Sequence, residues 1–201
     1  DEGILLRLPP QRHIGFDSAD FLYHRRLQAT LQEYHQHSYR LGVRTVSDLN
    51  RVIEQGDSAQ LSMVEETIQD RSLHRIADSI AADFPQVRLI LIAGPSCSGK
   101  TTFTQRLATQ FHALGIHPIP ISMDDYFIDR EDTPLDDEGK YDFESIHALD
   151  LPLFNQHLAD LIAGKEVQIP RYNFVTGRRA EESYPCRLEE DKIILIEGIH
   201  G

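Results

Sequence analysis

Gly94-Pro95-Ser96-Cys97-Ser98-Gly99-Lys100-Thr101 has the residue types and spacing, G-x-x-x-x-G-K-[ST], that grip a phosphate chain. Gly94 and Gly99 let the backbone turn tightly, so the N–H groups from Ser96, Cys97 and Ser98 through to Thr102 can face phosphate oxygens. Lys100 neutralises charge on the terminal phosphates, and the Thr101 hydroxyl can ligate Mg²⁺. An apolar run of strand length, Val87 to Ala93, comes before the loop. A helical pattern follows it (Phe103, Leu107, Phe111, Leu114), with its positive end toward the same anion. A chance Gly/Ser/Lys loop is the competing reading, and the strand–loop–helix context argues against it. The loop is expected to bind nucleotide phosphates.

A phosphate loop says that a triphosphate is held, not how it is used. A GTPase switch would carry a base-selecting N-K-x-D motif, which this sequence lacks. A motor would usually be much larger or repeat-bearing. A small-molecule kinase needs a carboxylate that can take the proton of the acceptor hydroxyl beside the γ-phosphate. Ser122-Met123-Asp124-Asp125-Tyr126-Phe127 follows the apolar segment Ile116 to Ile121, and ligands of open α/β sheets sit at that end of a strand. Asp124 is therefore the candidate base, and Asp125 beside it a candidate substrate contact. The remaining acids up to Glu144 read as a solvated loop. Glu197, at the end of the buried run Lys192 to Ile196, fits a second group organising a metal ion. Its plainer alternative is an acid at a strand exit.

Local signals outline the elements that must position these groups. Asp17 or Ser18 can cap a helix through Phe21, Leu27, Leu31, Tyr34 and Leu41. Thr45 or Ser47 caps a short second one, and Asp57 or Ser58 opens a third running to about Asp83. His24, His35 and His37 lack the one-face spacing of a metal pair and read as surface residues. Phe84-Pro85 marks a boundary, because a residue before proline disfavours helix. Pro118 and Pro120 argue that the strand Ile116 to Ile121 lies at a sheet edge. Asp150 with Pro152 starts another helix, closed by Gly164. Val167–Ile169 and Tyr172–Phe174 look like strands around Pro170, with a turn at Thr176-Gly177. The fold class expected is α/β, a P-loop NTPase with a parallel sheet, incomplete at the C-terminus. A helical module (1–84) precedes a kinase core (85–201).

The totals narrow the partners. The 201 residues carry a formal charge of −12, with 40% hydrophobic and 26% charged residues, as an ordinary globular protein does. That charge argues against direct nucleic-acid binding and against an anionic membrane surface. No apolar stretch approaches bilayer length. With Cys97 and Cys186 as the only two thiols, no disulfide framework is expected, and a reducing cytoplasm is the expected compartment. Association with further copies of the chain is left open. The start at Asp1 and the stop just after an apolar run read as a piece cut from a longer protein.

GPSCSGKTT, SMDDYF, the stretch from Asp142-Phe143-Glu144 to Asp150, VQIPRYNF and ILIEGIHG together resemble the uridine kinase and phosphoribulokinase family, over roughly residues 87–201. The helical part is similar to a segment upstream of such kinases in some bacterial proteins. There it follows domains like the N-terminal parts of threonyl-tRNA synthetase, a TGS-like domain first. The resemblance implies ATP and Mg²⁺ as cofactors and a nucleoside or related sugar as acceptor. By it, Asp124 is the general base for a sugar hydroxyl, and Lys100 with the loop amides holds the ATP phosphates. Thr101 and Glu197 help to organise Mg²⁺. Phe143, Glu144 and Tyr172 match positions lining the nucleoside pocket: an aromatic and a tyrosine near the base, an acid on the ribose hydroxyls. Glu144 stands where animal-type enzymes carry Asp, and Gly177 where they carry a base-contacting His. The family's arginine-bearing lid would lie past Gly201, so this span alone is expected to phosphorylate nothing at a useful rate. The rival expectation is a nucleotide-binding regulatory or RNA-associated protein that uses the kinase fold as a sensor.

Overall fold

An unbroken apolar run makes the central strand. In the computed structural model, which describes residues 25–200, Lys192–Gly198 forms a strand whose Ile193, Ile194, Leu195 and Ile196 are all 0% exposed. Such a run suits a strand covered on both faces. It is β7, and it lies between β1 (Leu89–Ala93) and β2 (His117–Ser122), parallel to both. Ile194 and Ile196 face one core with Ile121, Phe154, Leu161 and Ile169. Ile193 and Leu195 face the other, with Leu107, Phe111 and Ile116. Burying each such side chain contributes about 1.5–3 kcal/mol.

The prolines act as the sequence suggested. The His117 amide donates to Asp191 O on the β7 side. Residues 118 and 120 therefore turn their missing donors toward the other flank, where β2 pairs with nothing among the described residues.

Helix α4 (Lys100–Ala113) connects β1 to β2 and buries Thr104, Leu107 and Phe111. A single 3₁₀ turn, Met123–Tyr126, follows β2 directly. It can lie close to β7 because Gly198 has no side chain: a Cβ there would come within 2.8 Å of the Met123 Cβ. Asp150 Oδ1 accepts from the Leu153 amide to cap α5 (Leu151–Ile162), with proline in the first turn. Two short antiparallel ribbons complete this part, β3 (Glu166–Ile169) with β6 (Tyr184–Arg187) and β4 (Tyr172–Asn173) with β5 (Arg178–Arg179).

The chain divides into two compact units, with the divide between Val64 and Glu65, inside helix α3 (Ser58–Ala82). Leu73 and Ala77, from the second half of α3, belong to the core of the α/β unit. The sequence boundary at Phe84 follows the end of the helix, whereas the packing boundary falls before those two residues. The first unit contains α1 (Arg25–Leu41) and α2 (Val46–Glu54). Thr45 and Asp48 form a reciprocal capping box at the start of α2, a motif whose loss costs about 1 kcal/mol. The expected start of the first helix at Asp17 or Ser18, and His24, lie outside the described residues. Among the described residues no helix is long and apolar enough to cross a membrane.

Candidate functional site

The turn after β1 has the features of an anion cradle. Gly99 is the N-cap of α4 at φ +86°, and no side chain caps that helix end. Its first amides are thus left without a side-chain acceptor, and the helix dipole favours negative charge there. Gly94 is required by space: a Cβ would sit 2.9 Å from Ser98 Oγ and 3.2 Å from Lys100 Cγ. Cys97 adopts φ 60°, a left-handed conformation that costs a non-glycine residue energy and that clusters at functional turns. The Lys100 ammonium donates to Pro95 O at 2.9 Å, and the Gly94 amide donates to Gly198 O at 3.3 Å. The second contact ties the loop to the end of β7.

Sheet register assembles the next group. Glu197 on β7 is paired with Ile92 of β1 on one side and Ser122 of β2 on the other. Glu197 Oε1 accepts from Thr101 Oγ1 at 3.3 Å and from Ser122 Oγ at 3.2 Å. Two hydroxyls and a carboxylate thus meet beside the start of α4.

A cleft of about 360 Å³ opens next to the loop, lined by Ser96, Lys100, Asp124, Glu144 and Arg130, together with aromatic rings and Ile199. The rings are Phe127, Phe143, Tyr172 and Phe174, in edge-to-face or tilted contact at 5.0–6.3 Å between centroids. Partial burial, with the Glu197 carboxylate nearby, pushes Asp124 above the usual carboxylate range. Lys100 acts in the opposite sense, and Asp125 adds to the rise. Burial likewise raises the Tyr172 phenol, against a smaller lowering by Arg130.

Asp124, Lys100, Ser96, Phe143, Glu144 and Tyr172, all chosen from sequence, therefore share one cleft wall. Thr101 and Glu197 stand at the adjoining corner, and Cys97, Ser98 and Thr102 lie on the loop and the first turn of α4. Asp125 is used elsewhere. Its Oδ1 accepts from the Tyr172 amide at 3.2 Å, and its Oδ2 lies 3.5 Å from Arg171. The second acid of the pair braces the strand that carries Tyr172 and is not part of the cleft wall. Most acids of the stretch are exposed, as expected, and some of them also hold the local chain in place. Asp129 accepts from the Arg179 amide, Glu131 pairs with Arg178, and Asp142 accepts from the Glu144 and Ser145 amides.

Phe127, Arg130, Phe174 and Ile199 were not singled out from sequence. Phe127 and Phe174 stand inside the quoted motifs, and their apolar character was the available signal. Arg130 was hidden, as one base among acids that pattern reading assigns to solvent. Ser122 was missed because only pairing with β7 brings it to Glu197.

Comparison with known proteins identifies the family. The model of the Phosphoribulokinase / Uridine kinase family matches residues 89–201. The chain is 32% identical over 116 residues to a uridine kinase of Proteus mirabilis, covering 57% of this chain and 54% of that protein. It is 36% identical over 111 residues to a uridine kinase of Chloroflexus aurantiacus, covering 55% and 51%. The chain thus spans about half the length of the curated relatives it matches. A solved structure from Bacillus stearothermophilus, described as a possible uridine kinase, superposes with a TM-score of 0.53 at 26% identity, over 66% of this chain and 71% of that one. The family match stops short of the helical module, so the synthetase-like reading of that segment lies outside it.

Proposed function

Because the chain belongs to the phosphoribulokinase / uridine kinase family, we propose that it transfers the γ-phosphoryl group of ATP to a hydroxyl of a nucleoside or related sugar compound, with Asp124 as general base. One observation supports this above the others: Lys100, Asp124, Glu144 and the aromatic side chains line a single cleft. A phosphate grip, a proton acceptor and a compartment for a flat group are within one volume.

Each side chain has a role in this reading. The loop amides and Lys100 hold the phosphates, and the bare N-terminal end of α4 adds its dipole. The carboxylate of Asp124 takes the hydroxyl proton as the acceptor oxygen bonds to the γ-phosphorus and ADP leaves. Its raised pKa suits a base, because a carboxylate lifted above its ordinary value is a stronger proton acceptor. Glu144, acceptor-only when ionised, can receive hydrogen bonds from two adjacent hydroxyls. The rings offer faces and edges to a planar group. Phosphoryl transfer asks little covalent chemistry of the protein, so positioning and charge supply most of the acceleration.

The corner formed by Thr101, Ser122 and Glu197 fits Mg²⁺, a hard ion that takes oxygen ligands. Mg²⁺ typically uses one or two carboxylates together with phosphates and water. When bound there, the ion would neutralise charge on the phosphates. Glu197→Gln keeps a hydrogen-bond acceptor but removes the charge. The substitution is expected to raise the Mg²⁺ concentration needed for half-maximal rate and for nucleotide binding by about 10- to 100-fold. Unchanged Mg²⁺ titrations would remove Glu197 from this role.

The reading is tested on the full-length protein with ATP and a panel of nucleosides and sugar phosphates, by identifying the phosphorylated product by mass spectrometry. ATP binding without phosphorylation of any hydroxyl compound would overturn it in favour of a nucleotide sensor.

A further inference from the structure

At Gly177 the backbone has φ +70°, and an added Cβ would lie 2.7 Å from both Cζ and Nε of Arg130. The volume a side chain would fill at position 177 is taken by the Arg130 guanidinium. The arrangement is held on several sides. The Arg130 amide donates to Gly177 O at 2.8 Å, and its Nη2 donates to Phe174 O at 2.7 Å. The flanking Glu131–Arg178 ion pair, at 2.7 Å, fastens the same two segments together. Among the described residues no carboxylate lies within ion-pair distance of Arg130, and the bond to Phe174 O uses one of its five N–H donors. Tyr172 lines the same cleft, and its hydroxyl is buried without a hydrogen-bond partner, in a residue only 8% exposed. A buried polar group left unpaired in a cleft is a group that a ligand can satisfy.

We infer that Arg130, packed on Gly177, together with the Tyr172 hydroxyl, reads the far edge of the acceptor and selects an oxygen there over an amino group. The inference rests on the proposed kinase reading and specifies its substrate. A guanidinium can only donate. A carbonyl oxygen facing it is paired, and a ring N–H beside that carbonyl can donate to the Tyr172 oxygen. An amino group facing it sets donor against donor and leaves both unpaired in a partly dry site, which is the strongest form of discrimination a pocket can build.

Uridine and cytidine differ at such an edge, so they are the probes. Their equilibrium binding to the full-length protein is measured by calorimetry, with Arg130→Gln and Gly177→Ala beside the wild type. Uridine is expected to bind about tenfold or more tightly than cytidine. Arg130→Gln, whose amide can donate or accept, is expected to narrow the gap to about twofold. Gly177→Ala should narrow it too, because its Cβ displaces the guanidinium, and it serves if the first variant does not fold. Equal affinities in the wild type, an unchanged gap in the variants, or binding of neither nucleoside would overturn the inference. Asp124-dependent phosphorylation of some other hydroxyl compound would then leave the catalytic reading standing without it.

Discussion

Replacing Asp124 by Asn is expected to slow phosphoryl transfer by about two to four orders of magnitude while ATP affinity stays within about twofold. Asn keeps the size and one acceptor but cannot take a proton. The hydrogen bonds that hold the phosphate cradle do not run through Asp124: Lys100 is held by Pro95 O, and the loop is tied to Gly198. The pH profile gives a second check. The base works deprotonated, and burial beside Glu197 raises its pKa. The rate should therefore fall as pH drops, through a value above the ordinary carboxylate one, and that limb should vanish in the variant. Stability should move the other way. A carboxyl whose folded-state pKa is raised favours folding below its unfolded pKa, and that contribution is lost as pH rises through the folded value. At neutral pH the wild type carries the disfavoured charge, so thermal melting should find Asp124→Asn no less stable there. A variant that lost ATP binding along with turnover would show a structural role for Asp124 instead.

Ile196→Ala should cost the fold about 2–5 kcal/mol, read from denaturant unfolding of the protein. Ile196 is 0% exposed and packs in the core that carries Ile121, Phe154 and Ile169. It also precedes Glu197, so a slack β7 would loosen the corner with Thr101 and Ser122. The contrasting position is its register partner on β1, Leu91, which is 54% exposed. Truncating that side chain to Ala should cost under about 1 kcal/mol, because little apolar area is returned to water. Comparable losses at the two positions would mean that the two-sided burial of β7 does not govern stability.

Features that a short window encodes were legible in the sequence. The strand, glycine turn and helix around Lys100 need only neighbours in the chain, as do the cap at Asp150 and the missing donors of Pro118 and Pro120. Asp124 could be chosen because the end of a strand fixes where the next residue goes. Pairing over long separations was not legible. Nothing near Lys192 says that its strand enters between β1 and β2, and that insertion is what brings Ser122 to Glu197. Strand β6 was missed because Pro185 interrupts the pattern expected of a paired strand. Arg130 was hidden for a related reason: charge along the sequence suggests solvent, but the vacancy at Gly177 that receives its side chain lies more than forty residues away. Asp125 was expected to contact substrate because it abuts the end of a strand, and Arg171 and the Tyr172 amide that engage it instead lie as far off along the chain.

The order β1-β7-β2 has a consequence for synthesis. Strands β1 and β2 do not pair with each other; among the described residues each has β7 as its only partner. As the chain leaves the ribosome, two apolar segments must wait until β7 emerges, roughly 70 residues after Ser122. At about 5–20 residues per second that is a delay of roughly 4–14 s, during which a chaperone can hold the nascent sheet and a neighbouring polysome can entangle it.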